Sequence, residues 1–196
     1  AGKGVSFASS FGLLKDKTIL LFFLGIVFVV GVDVGINTAT PKLLVERCSL
    51  PVTNAGWGTS CYFLFRTVGA FFGAFILAKF LPHKFFATTM LLGVLAMLDL
   101  LFFAQSYFHI LAMIAVMGLC IANVFSIILS LALQHVPGKT NEVSGLMIMG
   151  VSGGAVIPPL MGVLTKTIGS QTGSLWVIFG CVIYLLCCAF YLCYRK

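Results

Sequence analysis

Six apolar runs, each long enough to cross a bilayer, leave this chain few ways to fold. They cover roughly residues 18–44, 55–80, 85–104, 110–133, 143–164 and 174–193. A transmembrane helix needs about 20 mostly apolar residues, so six of them consume most of the 196 residues and leave short loops and termini. The breaks carry charge, proline and polar residues: Glu46, Arg47 and Pro51; Lys79, Pro82, His83 and Lys84; Gln105 to His109; Gln134 to Lys139; and Thr165 to Gly173. Residues 1–17 form a polar lead-in, and residues 18–196 the bundle. The apolar runs all reach span length, so none reads as a cleaved signal peptide. The expected fold is an all-α membrane protein with six transmembrane helices.

Composition agrees. Apolar residues make up 60% of the chain and charged residues 9%, against about 45–50% and about 25% in soluble domains. A water-exposed surface cannot be assembled from such a set. An ordinary soluble enzyme, a nucleic-acid binder and a disordered chain are excluded. The net charge of +7 then reports topology rather than a nucleic-acid partner.

Twelve Lys and Arg residues divide unevenly between the two sides. Lys3, Lys15, Lys17, Lys79, Lys84, Lys139, Arg195 and Lys196 fall on one side, and Lys42, Arg47 and Lys166 on the other. Arg66 lies inside a span. The positive-inside rule places both termini in the cytoplasm. Cys120, Cys181, Cys187, Cys188 and Cys193 lie within spans and act as small apolar residues. Cys48 and Cys61 lie nearer the outer side, but Cys61 is expected inside its helix, which argues against pairing.

An ionisable group within a span is costly and marks a functional site by default. Asp33 stands mid-span in the first run and Arg66 mid-span in the second. Asp33 precedes Ser49 by 16 residues, and Arg66 follows Leu50 by 16. The two charges therefore fall at similar depth on antiparallel helices. Either they form a polar centre that touches a solute, or they lock two helices together. Asn37 and Tyr62 share faces with them at a spacing of four. Asn123 and Ser126 share a face in the fourth run. Asn123 serves either as a solute contact or as an interhelical hydrogen bond. Asp99 is expected to reach the outer interface.

Gly31 and Gly35 flank Asp33. The fifth run holds Gly145, Gly150, Gly153, Gly154 and Gly162 with Pro158 and Pro159. Such a run serves close helix packing, bending of an interrupted helix, or both. Gly31, Gly35, Gly153, Gly154 and Pro158 are the expected bending positions. Cutting the six spans into triplets puts Asp33 and Asn37 in the first helix of one and Asn123 in the first helix of the other. Two inverted three-helix units around a midplane site have that arrangement.

Gly150-Val151-Ser152-Gly153 matches the pattern of rhomboid intramembrane proteases. Their serine needs a histidine base within hydrogen-bond reach. His83, His109 and His135 all precede Ser152 and lie at span edges, so that reading is rejected and no catalytic residue is assigned. Carboxylates, His and Cys do not gather at metal-ligand spacing, and no phosphate loop is present. No metal or organic cofactor is expected.

Lys79-Phe80-Leu81-Pro82-His83-Lys84 resembles a loop in the second half of fucose-permease-like transporters. Gly153-Gly154-Ala155-Val156-Ile157-Pro158-Pro159-Leu160-Met161-Gly162 is similar to their Gly-Gly, Pro and Met-Gly stretch in the eleventh helix. Gln134 to Glu142 resembles the loop before it. The resemblance implies the major facilitator superfamily, with this chain as helices seven to twelve of a twelve-helix fold. It implies a monosaccharide of the fucose, galactose or glucose class, carried by alternating access with a proton as coupling ion. It also implies an N-terminal six-helix half as partner and the inner membrane of a bacterium as location. Asn123 then falls at a polar sugar-contact position, and Phe125 stands where the family often has proline. On this reading Asp33, Asn37, Tyr62, Arg66, Asn123 and Phe125 line one wall of a shared cavity. A six-helix scaffold or self-associating half is the alternative.

Overall fold

The computed structural model describes residues 7–194; Lys3, Arg195 and Lys196 of the charge count lie outside the described residues. Among the described residues the chain is helical, with no strand: α1 (Phe7–Gly12), α2 (Lys17–Cys48), α3 (Val52–Leu77), α4 (Pro82–Phe102), α5 (Tyr107–Ile121), α6 (Val124–His135), α7 (Thr140–Gly153), α8 (Ile157–Ile168) and α9 (Thr172–Tyr194). Among the described residues six helical stretches are long and apolar enough to cross a membrane: α2, α3, α4, the α5–α6 pair, the α7–α8 pair and α9.

Local chemistry sets the ends. Asp16 caps α2 by accepting from the Thr18 and Ile19 amides at 2.8 and 3.4 Å. Its other oxygen lies 3.1 Å from His135 Nε2 at the end of α6. The Thr18 N–H bond holds the Asp16 carboxyl below the usual carboxylate range. Gly169 stops α8 in the left-handed conformation, at φ 75°, which costs glycine little.

Two spans are interrupted. The fourth breaks between α5 and α6, where Asn123 adopts φ −108° and ψ −2°. The fourth run, expected over residues 110–133, is thus one span built of two helices. Asn123 is buried while Ser126 is exposed, so they do not share one face. The fifth breaks at the 3-10 turn Gly154–Val156, with Pro158 in the first turn of α8. Pro41, by contrast, sits inside α2 without ending it.

Helix pairing follows a two-fold pattern. Taking α2, α3 and α4 as one triplet and α5–α6, α7–α8 and α9 as the other, first packs on second: α2 against α7 and α8, α3 against α5. Third packs on third, α4 against α9. These are the inverted three-helix repeats expected of such a fold. The core lies along α2, whose buried face runs from Ile19 through Ile26, Val32 and Ile36 to Leu44. On α3 only Ala55, Gly58, Tyr62, Gly69 and Gly73 are buried, leaving most of that helix outside the bundle.

Glycine allows the central crossing. A Cβ on Gly118 of α5 would stand 2.7 Å from the Tyr62 carbonyl oxygen and 3.1 Å from the Arg66 amide. Backbone packs on backbone there, so no rotamer change relieves the clash. Gly118→Ala is expected to lower the melting temperature of the purified protein, whereas Gly180→Ala, with nothing within 4 Å, is expected to leave it unchanged or raised. Asp16→Ala is expected to cost about 1 kcal/mol at neutral pH. A carboxyl with a lowered folded pKa stabilises fully above its unfolded value of about 3.9 and loses that contribution as pH falls through the folded value. The difference between Asp16→Ala and the parent in acid unfolding should therefore shrink below that window and hold above it.

Candidate functional site: a polar cluster at mid-membrane

Asp33 lies at the middle of α2, about 24 Å from either end at 1.5 Å per residue. The crossing of α2 and α3 brings it to Tyr62 and Arg66, which are one turn apart on α3. Tyr62 donates its hydroxyl to Asp33 Oδ1 at 2.6 Å. Arg66 Nη2 stands 3.0 Å from Asp33 Oδ2. Both carboxylate oxygens are thus occupied, one by a neutral donor and one by a cation. Tyr62 is fully buried, while the Asp33 and Arg66 side chains remain 23% and 35% exposed. Arg66 Nε is buried and has no hydrogen-bond acceptor. The cluster therefore presents an accessible charge pair with one donor unspent.

Asn37 lies one turn beyond Asp33 and is half-buried. Pro41 has no N–H for the Asn37 carbonyl, which a regular helix would supply. Thr59 of α3 donates its hydroxyl to that carbonyl at 3.4 Å. A second polar link between α2 and α3 thus follows from the proline.

The expected wall is divided. Asn123 does not join the Asp33 cluster. It is only 8% exposed, and its Nδ2 donates to the Gly69 carbonyl at 2.8 Å. Its side chain occupies the space a Cβ on Gly73 would need. Its amide is spent holding the α5–α6 break against α3, the interhelical alternative. Phe125 is half-buried against the core, and Tyr62 offers its hydroxyl rather than an open ring face. Gly31, Gly35, Gly153 and Gly154 serve close packing: a Cβ on Gly35 would meet Ile178 Cγ1 at 2.9 Å, on Gly153 Val27 at 2.7 Å, and on Gly154 Val30 at 2.6 Å, while one on Gly31 would clash with Ile157.

One polar hollow was not foreseen. A cavity of about 200 Å³ opens between α2, α8 and the start of α9, lined by Thr38, Lys42, Pro158, Met161, Lys166 and Ser174 among others. Neither Asp33 nor Asn123 lines it. Thr38 and Lys42 follow Val34 at steps of four along an exposed stripe of α2, and that periodicity was legible in the sequence.

Charges near the α2 C-terminal end of the bundle act as fasteners. Arg47 Nη1 donates to the Leu100 and Ala104 carbonyls, each at 2.7 Å, and closes the end of α4. Glu46 accepts from the Ser170 hydroxyl and the Gln171 amide at 2.5 and 2.8 Å. Asp99, expected to reach the interface, lies 2.6 Å from His109 Nε2 across the α4–α5 turn. Cys48 and Cys61 are both free thiols. Among the described residues no three His, Cys, Asp or Glu gather where a metal would sit.

Interrupted spans in an inverted-repeat bundle, with charge at its centre, recur in secondary-transporter folds. The chain belongs to the Major Facilitator Superfamily, whose profile matches residues 21–196. That membership removes the protease reading. A putative glucose/galactose transporter of Helicobacter pylori is 26% identical over 178 residues, covering 89% of this chain and 43% of that protein. The same protein from a second strain matches equally. A variant of the Escherichia coli fucose:proton symporter FucP superposes with a TM-score of 0.86 at 20% identity, over 97% of this chain and 47% of that one. FucP in its outward conformation gives 0.83 at 20% identity, over 95% and 45%. The chain thus spans less than half the length of the relatives it matches.

Removing one member of the Asp33–Arg66 pair strands a charge in the membrane. Asp33→Asn and Arg66→Gln should each destabilise the protein, and the double variant should lose less than the sum, by about 0.5–3 kcal/mol. A double-mutant cycle on thermal unfolding checks this; additive losses would show that the two groups do not interact.

Proposed function

We propose that this chain is one six-helix half of a monosaccharide transporter of the fucose, galactose or glucose class. It works with an N-terminal six-helix half by alternating access and moves a proton with its substrate. The observation that carries this reading is the Asp33–Tyr62–Arg66 cluster. It is a charge pair at mid-membrane, met by a tyrosine hydroxyl, whose side chains stay partly exposed. Sugar hydroxyls both donate and accept, and a site with fixed polar groups discriminates strongly because an unmatched buried group is penalised. Asn37 extends the same face by one turn. The relatives named as a glucose/galactose transporter and a fucose:proton symporter support the substrate class and the coupling.

The inverted repeats supply the moving parts. The α7–α8 break and the α5–α6 break give hinge positions beside the pair, with Gly153, Gly154 and Pro158 in the first of them. Rocking of one half against the other exposes the cluster first to one side and then to the other. The excess of lysine on the side of the α2 start supports both termini in the cytoplasm, and the bacterial relatives support a bacterial inner membrane.

Uptake of labelled glucose, galactose and fucose into proteoliposomes of the complete protein, with and without a pH gradient, tests this. One of the three should accumulate, and an inward proton gradient should drive it. Asp33→Asn and Asn37→Ala should each lower uptake by tenfold or more per molecule of folded protein. Asn123→Ala should instead reduce uptake only in proportion to folded protein. No accumulation or binding of any of the three sugars would overturn the proposal.

A further inference from the structure

The turn from α3 into α4 joins exposed lysines to exposed apolar surface. A groove of about 470 Å³ opens there, lined by Ile76, Lys79, Phe80, Lys84, Phe85 and Thr88. Its apolar walls are not covered by the bundle: Phe80 is 66% exposed and Ile76 40%. Both lie where two membrane-spanning helices end, so lipid chains reach them. Lys79 and Lys84 are exposed, and among the described residues neither has a carboxylate within ion-pair distance. The first turn of α4 holds no acidic residue, and its N-cap Leu81 offers no side-chain acceptor. The positive end of that helix dipole therefore adds to the two ammonium groups.

Two cations above a hydrocarbon-lined channel match one chemistry, a phosphodiester with acyl chains below it. Basic pockets between spans at a membrane surface bind anionic headgroups in this way. The lysine stems lie along apolar surface while their ammonium groups reach the headgroup layer. A free phosphate would use the cations and leave Phe80 and Phe85 idle. We propose that the α3–α4 groove binds an anionic glycerophospholipid, with its phosphate held between Lys79 and Lys84 and an acyl chain along Ile76, Phe80 and Phe85.

The test uses the full-length protein in detergent, with bound lipid counted by native mass spectrometry and unfolding followed on heating. Phosphatidylglycerol should bind more tightly than phosphatidylcholine, and Lys79→Gln with Lys84→Gln should remove most of that preference. At about one favourable charge contact per lysine, the loss is roughly 30-fold. Lys139→Gln, on an exposed lysine at the same end of the bundle, should leave the preference intact. Phe80→Ala with Phe85→Ala should weaken both lipids together. Glycerol phosphate, which carries the anion without chains, should not stabilise the protein. Equal binding of the two lipids, a preference that survives in the double lysine variant, or full stabilisation by glycerol phosphate would each overturn the proposal.

Discussion

Hydrocarbon offers no partner to a polar group, so every donor and acceptor that enters it must be met by the chain itself. This constraint organises the interior. Asp33 brings a charge to mid-membrane, and both of its oxygens are met from α3, by Tyr62 and Arg66. Pro41 frees a carbonyl, and Thr59 meets it. Asn123 interrupts a span, and its amide closes on Gly69. Each of these polar groups ties a neighbouring helix, and each link ends on α3. That helix contributes few buried apolar side chains, so polar links and small-residue contacts hold it where burial alone does not.

Close approach makes those links reach. Gly118 lets α5 lie against the backbone at Tyr62 and Arg66, directly behind the charge pair. The position of the cluster is therefore set by backbone contact and not by long side chains. Outside the membrane centre the same economy recurs with charges at helix ends. Arg47 closes α4, Glu46 holds the turn into α9, Asp99 meets His109 and Asp16 meets His135. These contacts fix the ends of the bundle.

The proposed transport chemistry follows from leaving the central pair incompletely enclosed. A fully buried pair would serve as a fastener and nothing else. Partial exposure of the Asp33 and Arg66 side chains keeps a polar surface available beside the α2–α3 crossing. Thr38 and Lys42 lie well round α2 from Asp33 and line a separate hollow against α8 and α9.

Much of the fold was legible in the residues alone. Six span-length runs dictate six helices, because bilayer thickness and backbone satisfaction admit little else. Equal spacing from one turn placed Asp33 and Arg66 at one depth, since helical rise is constant. Spacing of four placed Tyr62 beside Arg66. Sequence could not fix how each helix is rotated, because runs that are apolar on nearly every face carry no strong periodic signal. Rotation decided that Asp33 faces α3, that Asn123 turns to Gly69 and away from Asp33, and that Tyr62 gives its hydroxyl while its ring is buried. The break at Asn123 and the roles of Arg47 and Glu46 as end fasteners likewise arise from contacts 53 to 125 residues apart. The run lengths determined what this chain is made of; only the packing of one helix on another decided which of its polar groups remain free to act.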